Sequence, residues 1–326
     1  MGRGAGRLFS FVALILIAAA AAALWFESAS TSPGPLEEQA TVIVPSGSGL
    51  QIIADELRAR GVIDSPMVLM LRARWLGQAH RFKAGEYAFE PGVSVDQVIE
   101  TMVAGRTVIH RLTLPEGWTS AQFAELIGAD TILSGELAAV PPEGSLLPET
   151  YHFERSEDRN ALVARMSAAM DATLAELWAA RADDLPIASP EEALVLASIV
   201  EKETGIASER PHIAGVFINR LRLGMPLQSD PTVIYALTLG EAPLERPLTR
   251  ADLKTDSPYN TYVVGGLPPG PIANPGRDAI AAVLQPLETD DLYFVADGTG
   301  GHAFAQSLAQ HNRNVAAWRA LQKQGD

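Results

Sequence analysis

The sequence predicts an α+β protein: one N-terminal transmembrane helix, a small α+β module, and a larger mixed α/β domain. Three observations carry this. Leu8 to Phe26 is a nineteen-residue run without a charge. A strand-turn-helix pattern then appears three times between residues 41 and 130. Beyond residue 140, capped helices alternate with long loops rich in Pro and Gly. At 326 residues the chain has room for about two domains.

As a helix, Leu8–Phe26 spans roughly 28 Å, close to the ~30 Å hydrocarbon core of a bilayer. Arg3 and Arg7 precede it, and the next basic residue is Arg58. The positive-inside bias puts the N-terminus in the cytoplasm and the remainder outside. Residues 1–27 are therefore expected to be a cytoplasmic tail and single-pass anchor, with Trp25 and Phe26 at the far interface. A cleaved signal peptide is the competing reading, because Ser28-Ala29-Ser30 offers small residues to a peptidase. The apolar run is longer than the ~7–15 residues usual for a signal, which favours the anchor. Residues 28–40 are small, polar and Pro-containing, and read as a linker.

The repeated pattern starts with VIVPSGSGLQIIADEL, recurs in PGVSVDQVIETMV, and returns in LTLPEGWTSAQFAELI. The first and third copies match at an offset of 70, aligning Pro45 with Pro115 and Gly47 with Gly117. Each helix start carries the residues of a capping box: Ser48 with Gln51, Ser94 with Gln97, Thr119 with Gln122. Residues 41–107 are expected to form the small module. The third unit leads into the larger domain, 108–326. Units of this sort bind or position more often than they catalyse.

Composition excludes several function classes. Asp plus Glu outnumber Lys plus Arg 39 to 25, a net charge of −14, so there is no basic footprint for nucleic acid. The absence of cysteine removes disulfides, thiolate metal sites and thiol nucleophiles. The six histidines are scattered and no HExxH occurs, so neither a metal nor a cofactor is expected. No GxSxG elbow or Walker loop is present, and DGTGGH reads as a hairpin turn.

Chemistry concentrates in SPEEALVLASIVEKETG. Ser189 is placed as N-cap, Pro190 at the first helical position, Glu192 as the capping-box partner and Gly205 just past the end, so a helix spans 190–204. Ala193 to Val200 are apolar nearly all round, the mark of a buried helix. Glu201 shares a face with Leu194 and Ala197. Desolvation and the negative helix end both disfavour its charged form, and a raised carboxyl suits a general acid. The bland alternative is a glutamate paired with Lys202 or Arg210. Glu203 lies ~200° further round and faces elsewhere. Gln228, and Asn260 and Tyr262 in the Pro/Gly loop 257–276, are candidate substrate contacts, with loop packing as their alternative role. Asn274-Pro275 is expected to cap a further helix, and LYFVADGTGGHAF to form a hairpin. Flat aromatics and amides beside one carboxylate suit a sugar polymer.

Through ASIVEKET, VFINRL, LQSDPTVIYAL, SPYNTY, GLPPGPIANPG and LYFVADGTGGHAF, the sequence resembles the endolytic murein transglycosylase (MltG, YceG-like) family over residues 41–320. The resemblance implies a LysM-like module at 41–107 and a catalytic domain at 108–326. It implies cleavage of the bond between N-acetylmuramic acid and N-acetylglucosamine within nascent glycan strands, leaving 1,6-anhydro ends. It makes Glu201 the catalytic glutamate. The implied partners are peptidoglycan strands, the cytoplasmic membrane and peptidoglycan synthases (penicillin-binding proteins). One departure is Glu149 in LLPETYHF, where the family commonly has Asp, which leaves the role of Glu149 open. A two-carboxylate muramidase using Glu201 and Glu149, and a non-catalytic wall-binding scaffold, are the competing functions.

Overall fold

The computed structural model describes residues 3–325. The first two residues of the expected tail and the last of the expected catalytic domain lie outside them. The fold is mixed α/β and divides into two compact units: residues 1–110 with 153–156, and residues 111–152 with 157–326.

The first unit begins with α1 (Arg3–Thr31), which includes a 25-residue stretch, Arg7–Thr31, long and apolar enough to cross a membrane. Then follow β1 (Ala40–Val44), α2 (Leu50–Ala59), α3 (Pro66–Trp75), β2 (Gly85–Phe89) and α4 (Val95–Ala104). β1 and β2 pair antiparallel with Val42 opposite Tyr87. Their inward side chains Val42, Val44, Tyr87 and Phe89 meet Leu57, Leu69 and Ile99 from the helices in one buried cluster.

The helix starts follow the sequence unevenly. Ser94 and Gln97 form the expected capping box. Ser48 and Gln51 do not: the turn advances the N-cap to Gly49, and Gln51 donates instead to Asp55. The segment read as a linker is also built in. α1 continues through Thr31, Phe26 and Ala29 pack against the cluster, and the chain at 34–39 is bonded to the 90–92 turn. Gly34 N–H donates to the Gly92 carbonyl at 3.3 Å and Gly92 N–H to that of Leu36 at 2.8 Å. Arg72 closes the junction, donating to Glu27 at 2.7 Å and to Asp96 at 2.7 and 2.8 Å.

The second unit is mostly helical. β3 (Ile109–Thr113) enters it from the first unit, followed by α5 (Ser120–Ala129), β4 (Thr150–Glu154, whose last two residues fall in the first unit), α6 (Arg159–Ala179), α7 (Pro190–Glu203), α8 (Arg210–Arg222), α9 (Asp230–Thr238), α10 (Arg277–Leu284), β5 (Tyr293–Ala296), β6 (His302–Ala305) and α11 (Leu308–Gly325). β3 pairs with β4. β5 and β6 form the expected antiparallel hairpin. Thr119 and Gln122 complete the capping box of α5. α7 is the spine of the core: Leu196, Ala197, Ile199 and Val200 are buried among Ile213 and Phe217 of α8 and Ile280 and Val283 of α10.

Candidate functional site

α7 is started much as its sequence dictates. Ser189 Oγ accepts from Glu192 N–H at 3.3 Å and Pro190 takes the first turn. Glu192 does not close the box; its carboxylate accepts from Ala188 N–H at 2.7 Å. The helix stops at Glu203 because Thr204 turns extended and its hydroxyl accepts from Ile206 N–H at 3.0 Å. Gly205 is not needed as a left-handed terminator. Inside the helix, Ser198 accepts from Ile272 N–H at 3.0 Å, fastening the Pro/Gly loop to the spine.

Glu201 stands in the last turn of α7, only 9% exposed. One oxygen accepts from Arg210 Nη2 at 2.8 Å and the other from Gly276 N–H at 2.9 Å. Two loops cover it. Gly117 N–H donates to the Asn274 carbonyl at 3.0 Å, and Asn274 N–H to that of Trp118 at 2.9 Å. Gly117 adopts φ 73°, a left-handed conformation that strains other residues, and a Cβ there would sit in ordinary contact with Glu201 and Lys202. A Cβ on Gly276 would collide with the Glu116 side chain, which would have to shift. Asn274 does not cap α10, whose N-cap is Gly276. Its buried amide instead ties Leu146 N–H, the Trp118 carbonyl, Ser120 and Glu143 together.

Electrostatics follow from this packing. Burial pushes the Glu201 carboxyl above its ordinary value; the Gly276 N–H and the Arg210 charge oppose the rise, and Glu116 adds to it. The same Arg210 nitrogen that meets Glu201 donates to Glu116 at 2.9 Å. Glu201 can therefore take up a proton without leaving Arg210 unpaired. Lys202, the other partner weighed for Glu201, reaches the Gly117 carbonyl at 3.0 Å instead.

The other predicted residues gather elsewhere. Gln228 and Tyr262 line a cavity of about 530 Å³ with Glu203, Arg220, Asp230 and Tyr293. Tyr262 donates to Asp230 at 2.6 Å, and Gln228, at φ 52°, accepts from Arg220 at 3.4 Å. Asn260 is fully buried beneath them. Its amide donates to the Leu253 and Thr255 carbonyls and accepts from Tyr262 N–H. Both ends of that side chain are committed to the loop, so Asn260 holds the loop in shape and presents nothing to a ligand.

Glu203 faces away from Glu201 and accepts from Ser229 Oγ at 2.5 Å. Burial, with the Asp230 charge adding, pushes it up to about 7 against that hydrogen bond. Glu149 is exposed and joins the fold through its main-chain carbonyl, which accepts from Leu114 at 3.0 Å. The carboxylates that share Arg210 with Glu201 are Glu116, at 2.9 Å, and Asp278, at 3.8 Å. Sequence reading missed Glu116, Gly276 and the titrating character of Glu203. The first two lie 85 and 75 residues from Glu201, and no local pattern links them to it.

A buried glutamate at a helix end, roofed by two Gly-containing loops, defines a carboxylate site on a helical scaffold. The YceG-like family model matches residues 42–317, and the chain belongs to that family. Endolytic murein transglycosylases of Streptococcus pneumoniae strains D39 and R6 are each 32% identical over 321 residues, covering 85% of this chain. The chain spans 58% of the length of those relatives. The endolytic murein transglycosylase of Bacillus subtilis is 32% identical over 301 residues, covering 83% of this chain and 82% of the relative. A crystal structure of a YceG-like protein from Listeria monocytogenes is similar with a TM-score of 0.54 at 31% identity, covering 85% of this chain and 99% of that one.

Proposed function

We propose that the chain is an endolytic peptidoglycan lytic transglycosylase that cuts the bond between N-acetylmuramic acid and N-acetylglucosamine in nascent strands. The observation that carries the reading is Glu201: one buried carboxyl, raised by desolvation, in the ASIVEKET motif of a chain related to enzymes of that name. Protonated Glu201 gives its proton to the leaving glycosidic oxygen as the bond to the muramic anomeric carbon breaks. The muramic 6-hydroxyl attacks that carbon, and the Glu201 carboxylate takes the hydroxyl proton. A 1,6-anhydro ring forms, no water is consumed, and Glu201 ends protonated as it began. Holding the nucleophile within the substrate supplies the entropic advantage of an intramolecular attack. Arg210 stabilises the transient carboxylate and falls back on Glu116 when the proton returns. Gln228 and Tyr262 are proposed to contact the glycan from the cavity beside Glu203.

The domain reading belongs to the same proposal. A strand-helix-helix-strand order with an antiparallel strand pair supports a LysM-like, glycan-binding module at 41–107, with the catalytic domain at 108–326. α1 is proposed to cross the cytoplasmic membrane once, with the N-terminus inside and the enzyme on the outer face. Peptidoglycan synthases are proposed partners, since tethering to one membrane raises effective concentration. Glu116 beside Arg210 also suggests a second reading, hydrolysis with Glu116 as the base. Incubation with uncrosslinked glycan followed by mass spectrometry tests both: anhydro ends lack one water relative to hydrolysed ends. Hydrolysed ends alone would replace the first reading by the second, and intact strands would leave a wall-binding scaffold.

A further inference from the structure

α3 carries an apolar stripe that the first unit does not cover. Met67, Leu71 and Trp75 follow at four-residue spacing on one face and are 65%, 47% and 80% exposed. Trp75 is the most exposed of the large apolar side chains described. The opposite face is used: Val68, Leu69, Arg72 and Ala73 are buried. Single exposed apolar residues need no explanation, but a stripe of this kind does.

Two independent observations say what covers it. The first is position. α3 lies against the end of α1: Ser65 and Val68 line a cavity together with Trp25, Ser28 and Ala29, and Arg72 is bonded to Glu27. Glu27 is the first charge after the apolar run of α1, so it marks the level where that run ends. Leu71 and Trp75 lie within about one helical turn of Arg72, some 5 Å along α3. The headgroup zone beyond the hydrocarbon is of that order, roughly 5–8 Å on each side. Because the junction is fixed by hydrogen bonds, α3 cannot drift from the end of α1.

The second observation is charge. Residues 65–85 hold four Lys or Arg and no Asp or Glu, in a chain of net charge −14. Arg72 is spent on Glu27 and Asp96, while Arg74 and Arg81 make no ion pair among the described residues. Exposed apolar side chains with an aromatic residue and neighbouring cations suit an element that touches a membrane interface.

We infer that the exposed face of α3 lies in the outer headgroup region of the membrane that α1 crosses, making α3 a second, interfacial contact with lipid. This rests on the proposal that α1 spans the membrane. The consequence is that the first unit is held against the lipid surface in one orientation, where a flexible tether would let it sample many. The net acidity of the chain does not oppose this, because the α3 region is locally basic.

The native absence of cysteine makes the test direct. Full-length Met67→Cys, Leu71→Cys, Asp55→Cys and Leu16→Cys variants are labelled with an environment-sensitive fluorophore. Each is reconstituted into vesicles of phosphatidylethanolamine and phosphatidylglycerol carrying nitroxides at shallow or deep positions. The expected result is that Leu16 is quenched by the deep nitroxide. Positions 67 and 71 should be quenched by the shallow one about twofold or more over Asp55. Quenching at Leu16 with 67 and 71 behaving like Asp55 overturns the inference and leaves the span standing. Absence of quenching at Leu16 removes the span itself and the inference with it. A response at 67 and 71 to added glycan strands but not to lipid assigns the face to the wall and also overturns it.

Discussion

Arg210→Met removes the one cation among the described residues that pairs with Glu201 while keeping most of the side-chain volume. Arg210 and Glu201 are both buried, whereas Glu116 reaches solvent. Two unit charges ~4 Å apart at an effective dielectric of ~20 interact by about 4 kcal/mol. Stripping one partner from a buried pair costs about 3–5 kcal/mol. Glu201 has an escape, which is to hold its proton. Its carboxyl already lies above the ordinary 4.5, and losing Arg210 removes a cause that lowers it, so it rises further. From the ordinary value up to the folded one, the native chain then keeps a proton that the unfolded chain has shed. Stability must fall as pH rises through that window, by up to about 1.4 kcal/mol per unit. The full deficit of about 3–5 kcal/mol should appear near pH 8 and shrink toward pH 5. For a unit of this size that is roughly 6–20 °C of melting temperature. Thermal melts of the detergent-solubilised chain by circular dichroism at both pH values measure it. An equal loss at both, or a loss of under about 2 °C near pH 8, would refute the assignment of Arg210 as the counter-charge of Glu201.

The remaining expectations use the same measurements. Glu203 is raised to about 7, so the wild-type chain should lose stability as pH rises from about 5 to 7, and Glu203→Gln should flatten that slope; an unchanged slope would show that Glu203 is not its source. Asn260→Ala breaks three loop hydrogen bonds and should cost about 2–4 kcal/mol, with glycan affinity per folded molecule unchanged. Lost affinity in a fully folded variant would return Asn260 to the ligand surface. Gly276→Ala drives a methyl into the Glu116 carboxylate and should shift the roof of the site, lowering the rate of cleavage by ~10²-fold with a smaller change in melting.

Local signals were readable where one segment decides the outcome alone. The α4 and α5 capping boxes, the start of α7 and the hairpin 293–305 all depend on residues within four positions or on simple alternation. Ser48 shows where that logic stops: the same residue pattern fails when the preceding turn moves the N-cap by one position. Asn274 looked like a cap because Asn-Pro is a cap signal. Its amide is drawn away by four groups, at Trp118, Ser120, Glu143 and Leu146, more than 100 residues distant. Residues 28–40 have the composition of a tether but lie against a surface that holds them, and composition carries no information about that surface. At the candidate site the burial of Glu201 was legible from α7 alone. Arg210, nine residues on, was a candidate partner from the sequence, but Glu116 and Gly276 were not legible, because they come from distant segments. Gln228 and Tyr262 line one cavity with Glu203, a grouping that neither motif indicates by itself.

The central claim is that one carboxyl, Glu201, works as acid and then as base in a reaction that consumes no water. Glu201→Gln keeps nearly the same shape and can still accept from Gly276 N–H, but cannot give and retrieve a proton. The most direct measurement is mass spectrometry of uncrosslinked glycan strands after incubation with the wild-type chain and with this variant. The account predicts 1,6-anhydro ends from the wild type and intact strands from a folded Glu201→Gln protein. Anhydro products forming at near wild-type rate from that variant would contradict it.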